Sequence, residues 1–192
     1  LMRLQAGGGD VSRVHSVASF FVSRVDSEAD CRLDALGAPA DLKGRLGIAN
    51  AKLAYARYRE LFSPRDELWA ELTAAGAHPQ RCLWASTSTK NPAYRDVLYV
   101  EQLIGPETVN TMPEPTLRAF QDHGRVAETL TQEVDEAQRL LERLKEVGVD
   151  YDDVVETLEA EGIAKFSASF AKLLAGLEEK QRALKPVTGA RR

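Results

Sequence analysis

Cations and hydroxyl groups recur in the sequence at places where they could together bind a small anion such as a phosphate group. Arg24 follows an apolar run, and its planar guanidinium offers fixed donors that can bind two phosphate oxygens at once. Lys90 closes a hydroxyl-rich segment and could supply a second, less directional charge. The hydroxyls of Ser19, Ser86 and Thr87 could hydrogen-bond to the phosphate or to a sugar hydroxyl. These residues are therefore the first candidates for an anion-binding site.

Each of these residues also has a structural interpretation. Arg24 could pair with the nearby carboxylates of Asp26 or Asp30, and the serine and threonine hydroxyls could satisfy loop backbone. Lys90 has a sharper alternative, because a lysine that is desolvated beside another cation can form a Schiff base. An Asn-Pro pair follows Lys90 and predicts an exposed turn, which favours a solvated or phosphate-binding lysine.

Short apolar runs precede the polar groups and predict the strands that position them. These runs, at 14–22, 82–86 and 108–111, are typical of buried parallel strands, and helical patterns separate them. Strands that alternate with helices are parallel, and ligands bind at their carboxyl ends. The sequence therefore predicts an α/β fold with Arg24, Ser86 and Lys90 at the carboxyl ends of the strands. Three strands are too few for a closed barrel, so the chain is typical of part of an α/β sheet.

Helical patterns account for most of the remaining sequence. The predicted helices are 28–36, 42–62, 66–75, 94–104 and 114–124. Two apolar stripes follow Gly124. The first consists of Leu130, Val134, Ala137, Leu141 and Leu144. The second consists of Val155, Leu158, Phe166, Phe170, Leu173 and Leu177. Both stripes have the spacing of helices that pack against a domain, although coiled-coil seams are an alternative. Gly162 could divide the second helix, and a frayed tail is expected over 186–192.

Composition excludes several classes of protein. The chain has 192 residues, of which 44% are hydrophobic and 28% charged, as in an ordinary globular domain. A net charge of −4 gives no electrostatic reason to expect nucleic acid or an anionic membrane as a partner. Neither Cys31 nor Cys82 belongs to a CxxC pair, and the three histidines have no metal-ligand spacing to them. Two isolated thiols suit a reducing compartment, so we expect a cytoplasmic protein.

Four motifs, in order along the chain, resemble the transaldolase family and particularly its actinobacterial branch. They are SVASFFVSRVD at 16–26, LWASTSTKNPAY at 83–94, TVNTMP at 108–113 and GIAKF at 162–166. The resemblance implies a partial (β/α)8 TIM barrel that holds the family's strands six to eight and its C-terminal helices. Residues 1–124 would be the barrel portion, and 125–192 the C-terminal barrel helices and tail.

The resemblance also implies a reaction. Transaldolases form a lysine Schiff base with a ketose phosphate and transfer a dihydroxyacetone unit, without cofactor or metal, in the pentose phosphate pathway. Their substrates are sedoheptulose 7-phosphate with glyceraldehyde 3-phosphate, and erythrose 4-phosphate with fructose 6-phosphate. By this resemblance Ser19 lies close to the bound intermediate, Phe21 lines the site, and Arg24 and Ser86 bind the substrate phosphate.

The sequence departs from the family pattern in two ways. Ser88 stands where many members carry a second phosphate-binding arginine, so Lys90 is the candidate for the missing charge. The motifs of the Schiff-base lysine and of the catalytic carboxylates are not found, so we expect no catalytic residue here and place that lysine upstream. The chain alone is then expected to be inactive, and to self-associate or pair with the missing part of the barrel. The alternatives are a non-catalytic half-barrel or helical assembly module built on the helices after Gly124, and a divergent aldolase that uses Lys90.

Overall fold

The structure, a computed structural model, describes residues 1–184 and shows an α/β fold with a small parallel sheet. The strands are β1 (Val17–Phe21), β2 (Arg81–Ala85) and β3 (Thr108–Asn110). The helices are α1 (Met2–Ala6), α2 (Val22–Ala35), α3 (Leu46–Leu61), α4 (Glu67–Ala74), α5 (Leu98–Gln102), α6 (Glu114–His123), α7 (Val134–Glu146) and α8 (Tyr151–Leu184). The predicted tail at 186–192 lies outside the described residues. Residues 1–154 form one compact unit, and residues 155–184 belong to a second.

The sheet has the order β1-β2-β3, and both pairs of strands are parallel, as the alternation of strands and helices predicts. The register places Ser19 beside Leu83 and Leu83 beside Val109. Because side chains alternate between the faces of a strand, these three residues share one face of the sheet.

The two faces of the sheet differ in burial. On one face Cys82 and Trp84 are buried and pack with helix residues such as Val22 and Tyr55 into the main hydrophobic core. On the other face Ser19 is exposed, and the large side chains of Val17 and Phe21 are each 40% exposed. One face of the sheet therefore carries the core, while its opposite face presents apolar and hydroxyl side chains to the surroundings.

Helix α2 begins at Val22, directly after β1, and not at Glu28 as the sequence predicts. Phe21 takes the N-cap position with an extended backbone, so strand and helix join without a loop. Asp26 is buried inside α2, where its Oδ1 accepts a 2.6 Å hydrogen bond from the N–H of Gly47. A side chain at position 47 would place its Cβ 2.4 Å from the carbonyl oxygen of Val22, so the close approach of α3 to α2 requires glycine.

The two apolar stripes have different surroundings. In the first, Leu130, Ala137 and Leu144 are buried, and α7 packs extensively on α3. The second lies on α8, which runs without a break through Gly162, so the predicted division there is wrong. Its Phe166 is 67% exposed, and the expected burial of this stripe is not seen among residues 1–184.

No helix within the described part of the chain has both the length and the apolar character that crossing a membrane requires.

Candidate functional site

Arg24 lies in the first turn of α2, immediately behind the carboxyl end of β1, where the sequence predicts it. Its side chain is exposed, and its guanidinium carbon lies 4.8 Å from the centroid of the Phe21 ring. This cation–π contact holds the charged group over the open face of the sheet without neutralising it. The adjacent amino terminus of α2 adds a partial positive charge, so the position favours an anion.

The structural interpretation of Arg24, an ion pair with Asp26 or Asp30, is wrong. Asp26 accepts from the Gly47 N–H, and Asp30 accepts from the Gly44 N–H at 2.9 Å and from a tyrosine hydroxyl. Within residues 1–184 no carboxylate forms an ion pair with Arg24. The guanidinium donors therefore remain available to a ligand.

Ser86 begins the turn that follows β2, and the structure places this turn beside the first turn of α2. The backbone N–H of Ser23 donates to the carbonyl of Ser86 at 3.0 Å, one residue before Arg24 along the chain. Ser86 adopts a left-handed backbone conformation with φ of 54°, which few residues other than glycine adopt. Such a conformation persists only where its surroundings enforce it, and it is common at ligand-binding sites.

Thr87 connects the same turn to the third strand. Its side chain is fully buried, and its Oγ1 donates to Oδ1 of Asn110 at 2.8 Å. The N–H of Thr111 donates to the carbonyl of Trp84 at 2.9 Å, which continues the pairing of β2 and β3 at their carboxyl ends. The Thr87 hydroxyl is therefore a structural link between strand ends, and not a free phosphate ligand as the sequence suggested.

Lys90 lies further along the turn, with an exposed side chain whose Nζ is 3.0 Å from Oγ of Ser88. Nothing here removes water from its ammonium, as a reactive Schiff-base lysine would require. Ser19 lies on the open face of β1, two residues before Phe21 and on the same side of the sheet. The structure therefore brings the first turn of α2 and the turn after β2 together through the Ser23–Ser86 backbone hydrogen bond, at the carboxyl ends of β1 and β2.

A buried polar cluster behind Arg24 was missed by the sequence reasoning. Asp26 is 1% exposed, and its burial raises the pKa of this carboxyl to about 6, although the hydrogen bond from Gly47 opposes the rise. Asp30, one turn later, accepts a 2.5 Å hydrogen bond from the hydroxyl of Tyr94, and burial with this contact raises the pKa of that hydroxyl. The spacing of two aspartates by four residues on one helix face was the available signal.

Metal ligands do not accompany the site. Across residues 1–184 no group of three or more histidine, cysteine, aspartate or glutamate side chains is arranged to hold a metal ion. His15 and His78 stack on each other, with ring centroids 4.3 Å apart, at the opposite ends of β1 and β2 from Arg24 and Ser86.

Comparison with known proteins identifies a matching family and several sequence relatives. The family model described as "Transaldolase/Fructose-6-phosphate aldolase" matches residues 2–177. The "Transaldolase" of Arthrobacter sp. (strain FB24) is 54% identical over 181 residues, which is 93% of this chain and 48% of that protein. The "Transaldolase" of Frankia alni is 56% identical over 87% of this chain and 45% of its own length. "Transaldolase 2" of Streptomyces avermitilis is 48% identical over 98% of this chain and 51% of its own length. The chain thus spans about half the length of the curated relatives it matches.

Proposed function

The chain belongs to the transaldolase/fructose-6-phosphate aldolase family, and from this premise we propose that it supplies the phosphate-binding side of a transaldolase active site. The observation that carries the proposal is the 3.0 Å hydrogen bond from Ser23 to Ser86, which joins the two predicted phosphate-binding elements. The exposed guanidinium of Arg24, which has no carboxylate partner among the described residues, provides the charge.

In this proposal the sugar phosphate binds with its phosphate at the carboxyl ends of β1 and β2. Arg24 donates two hydrogen bonds to the phosphate, the Ser86 hydroxyl donates another, and Lys90 contributes charge from the same turn. Ser19 and Phe21 lie on the open face, where the carbon chain of the sugar would extend. Each charge-assisted hydrogen bond of this kind contributes about 1.5–3 kcal/mol. Because Arg24 would make two of them, its replacement should cause the largest loss of affinity for the sugar phosphate.

The proposed reaction transfers a dihydroxyacetone unit between sugar phosphates. A lysine amine, expected upstream of this chain, attacks the ketone carbon of sedoheptulose 7-phosphate and expels water to form an iminium. The iminium accepts the electrons of the breaking carbon–carbon bond, and erythrose 4-phosphate leaves. The retained three-carbon unit adds to glyceraldehyde 3-phosphate, and water then releases fructose 6-phosphate. The residues described here bind and orient the phosphorylated end, and the bond changes occur on the upstream lysine.

The proposed architecture is strands six to eight of a (β/α)8 barrel, in which β1, β2 and β3 take these positions. Two features support it. The outer strands β1 and β3 each pair on one side only among the described residues, and unpaired strand edges favour association. The open face carries Val17 and Phe21, which the packed interior of a barrel would cover. The proposed partner is therefore the remaining part of the barrel, with self-association as the outcome in its absence, and the proposed location is the cytoplasm.

Reconstitution tests the function. The chain should be co-expressed with the upstream half of the Arthrobacter relative, and the complex assayed for transfer from fructose 6-phosphate to erythrose 4-phosphate. We expect transfer activity that neither half shows alone, and a raised KM when Arg24 is replaced by glutamine. A complex that forms and is folded but transfers no dihydroxyacetone unit would contradict the proposal.

Two other functions are less well supported. An aldolase that uses Lys90 would need a desolvated amine, whereas this side chain is exposed. Borohydride reduction of the chain with fructose 6-phosphate, followed by peptide mass spectrometry, would reveal an adduct at Lys90 if that reaction occurred. An assembly module built on the helices after Gly124 would be supported by an exposed stripe at 130–144, but Leu130, Ala137 and Leu144 of that stripe are buried.

A further inference from the structure

A cavity of about 320 Å³ lies among α3, α5 and α7 and is separate from the candidate phosphate site. None of Ser19, Phe21, Arg24, Ser86 or Lys90 lines it. Its volume falls at the lower end of the range of small-molecule sites, about 300–1,000 Å³. The cavity can therefore accommodate a small organic molecule.

The walls of the cavity combine apolar side chains with one buried cation. Ile48, Leu98, Ala137 and Leu140 supply apolar surface from three helices. Lys52 also lines the cavity, and its side chain is only 4% exposed. An apolar pocket with a few convergent polar groups is typical of a site that orients a small ligand.

Lys52 has one carboxylate partner among the described residues, and that contact is loose. Its Nζ lies 3.6 Å from Oε2 of Glu133, which is an ion pair but is longer than a normal hydrogen bond. An ammonium carries three donors, and this single ion pair leaves donors that a further acceptor in the cavity can engage. A second acceptor placed in the cavity would therefore stabilise this lysine.

Such an acceptor can displace the carboxylate of Glu133. Its side chain is 73% exposed, so its carboxylate can move into water with little loss. Its backbone is left-handed, with φ of 58°, at the residue that precedes α7. The carboxylate of Glu133 thus contacts the buried ammonium from the solvent side and occupies the position that a ligand's acid group would take.

We propose that this cavity binds a small monocarboxylate with an apolar tail. The ligand carboxylate replaces that of Glu133 at Lys52, and the tail lies against Ile48, Leu98 and Leu140. The cavity lining carries three cations and two carboxylates, Lys43, Arg45, Lys52, Glu133 and Glu136. Lys43 is paired with Asp34, and Arg45 lies 4.0 Å from Glu136, so Lys52 is the cation that a ligand carboxylate would engage once it displaces Glu133. The site goes beyond the proposed transferase function and does not depend on it.

The first test is an NMR titration of the full chain with hexanoate, followed through backbone amide shifts. We expect saturable shifts in the segments 48–52, 98–102 and 133–140. Hexanol, which has the same tail without the charge, and inorganic phosphate, which has the charge without the tail, should not produce these shifts. The absence of saturable shifts with hexanoate, or equal shifts with hexanol, would overturn the proposal.

Two substitutions separate the roles of the charged groups. Lys52→Met keeps the volume of the side chain and should weaken hexanoate binding at least about tenfold. Glu133→Gln removes the competing carboxylate at an exposed position and should strengthen hexanoate binding several-fold. Glu142→Gln, an exposed change on α7 outside the cavity lining, is the matched control and should leave the affinity unchanged. Binding to Glu133→Gln that is no tighter than binding to the wild-type chain would contradict the exchange, even if Lys52→Met fails to fold.

Discussion

Replacing Asp26 with asparagine should remove a specific pH dependence from the stability of the fold. Asp26 is buried in α2, and its burial raises the pKa of the folded-state carboxyl from 3.8 to about 6. Asparagine keeps an oxygen that can accept the hydrogen bond from Gly47, but it does not titrate. The variant therefore changes the protonation chemistry with little change in shape.

The sign and size of the effect follow from the two pKa values. Below pH 3.8 the carboxyl is protonated in both states and contributes no pH dependence. Between pH 3.8 and about 6 the unfolded chain releases a proton that the folded chain retains, so the free energy of unfolding falls as the pH rises. The rise in pKa corresponds to a loss of about 3 kcal/mol, since each pKa unit is worth about 1.4 kcal/mol. This stability is present at acid pH and is lost above pH 6.

Urea denaturation from pH 4 to 7.5 measures the effect directly. The difference in unfolding free energy between Asp26→Asn and the wild-type chain should shift by about 2 kcal/mol towards the variant across this range, because part of the change has already occurred at pH 4. Glu71→Gln, an exposed change on α4, is the control and should give a curve parallel to that of the wild type. Parallel curves for Asp26→Asn and the wild type would show that this carboxyl is not desolvated in the folded state.

Three further predictions concern the same elements and the strand edges. Gly47→Ala should destabilise the fold by about 1–3 kcal/mol in urea denaturation, because the added Cβ meets the carbonyl of Val22. As a control, Gly162→Ala should be neutral or stabilising, because no atom lies within 4 Å of the new methyl group. Thr87→Val should cost about 1 kcal/mol in the same assay, because it removes the hydrogen bond from the buried Thr87 hydroxyl to the half-buried Asn110 side chain, whereas Thr87→Ser should largely retain stability. In sedimentation the chain alone should associate, and a stable, dispersed monomer would contradict the proposed barrel edges.

The sequence was sufficient to predict that the strands are parallel and that Arg24 directly follows the carboxyl end of the first strand. Polar residues after each apolar run, together with the alternation of strands and helices, place Arg24 and Ser86 at neighbouring strand ends. Local signals also predicted α4, since Asp66 accepts from the N–H of Trp69 at the amino end and Gly76 has a positive φ beyond the carboxyl end. These features depend on near neighbours in the chain, which a sequence pattern contains.

Features that depend on distant parts of the chain were not predictable in this way. Asp26 has the residue type of a helix cap, but its partner Gly47 lies 21 residues away on α3. Thr87 has the appearance of a free loop hydroxyl until Asn110 is placed beside it by the register of β2 and β3. For α8, periodicity identified an apolar stripe but could not specify what covers it, and Phe166 is exposed in the described chain.

Binding of fructose 6-phosphate to the chain, measured by amide shift titration and calorimetry, tests the central claim most directly. We expect saturable shifts in both the first turn of α2 and the turn at 86–90, from a single site. Arg24→Gln should weaken the affinity at least about tenfold, since it removes charge-assisted hydrogen bonds. Arg57→Gln, an equal charge change at an exposed position on α3, should not alter it. Equal affinity in the two variants, or shifts that leave either turn unaffected, would contradict the assignment of Arg24 and Ser86 to one phosphate site.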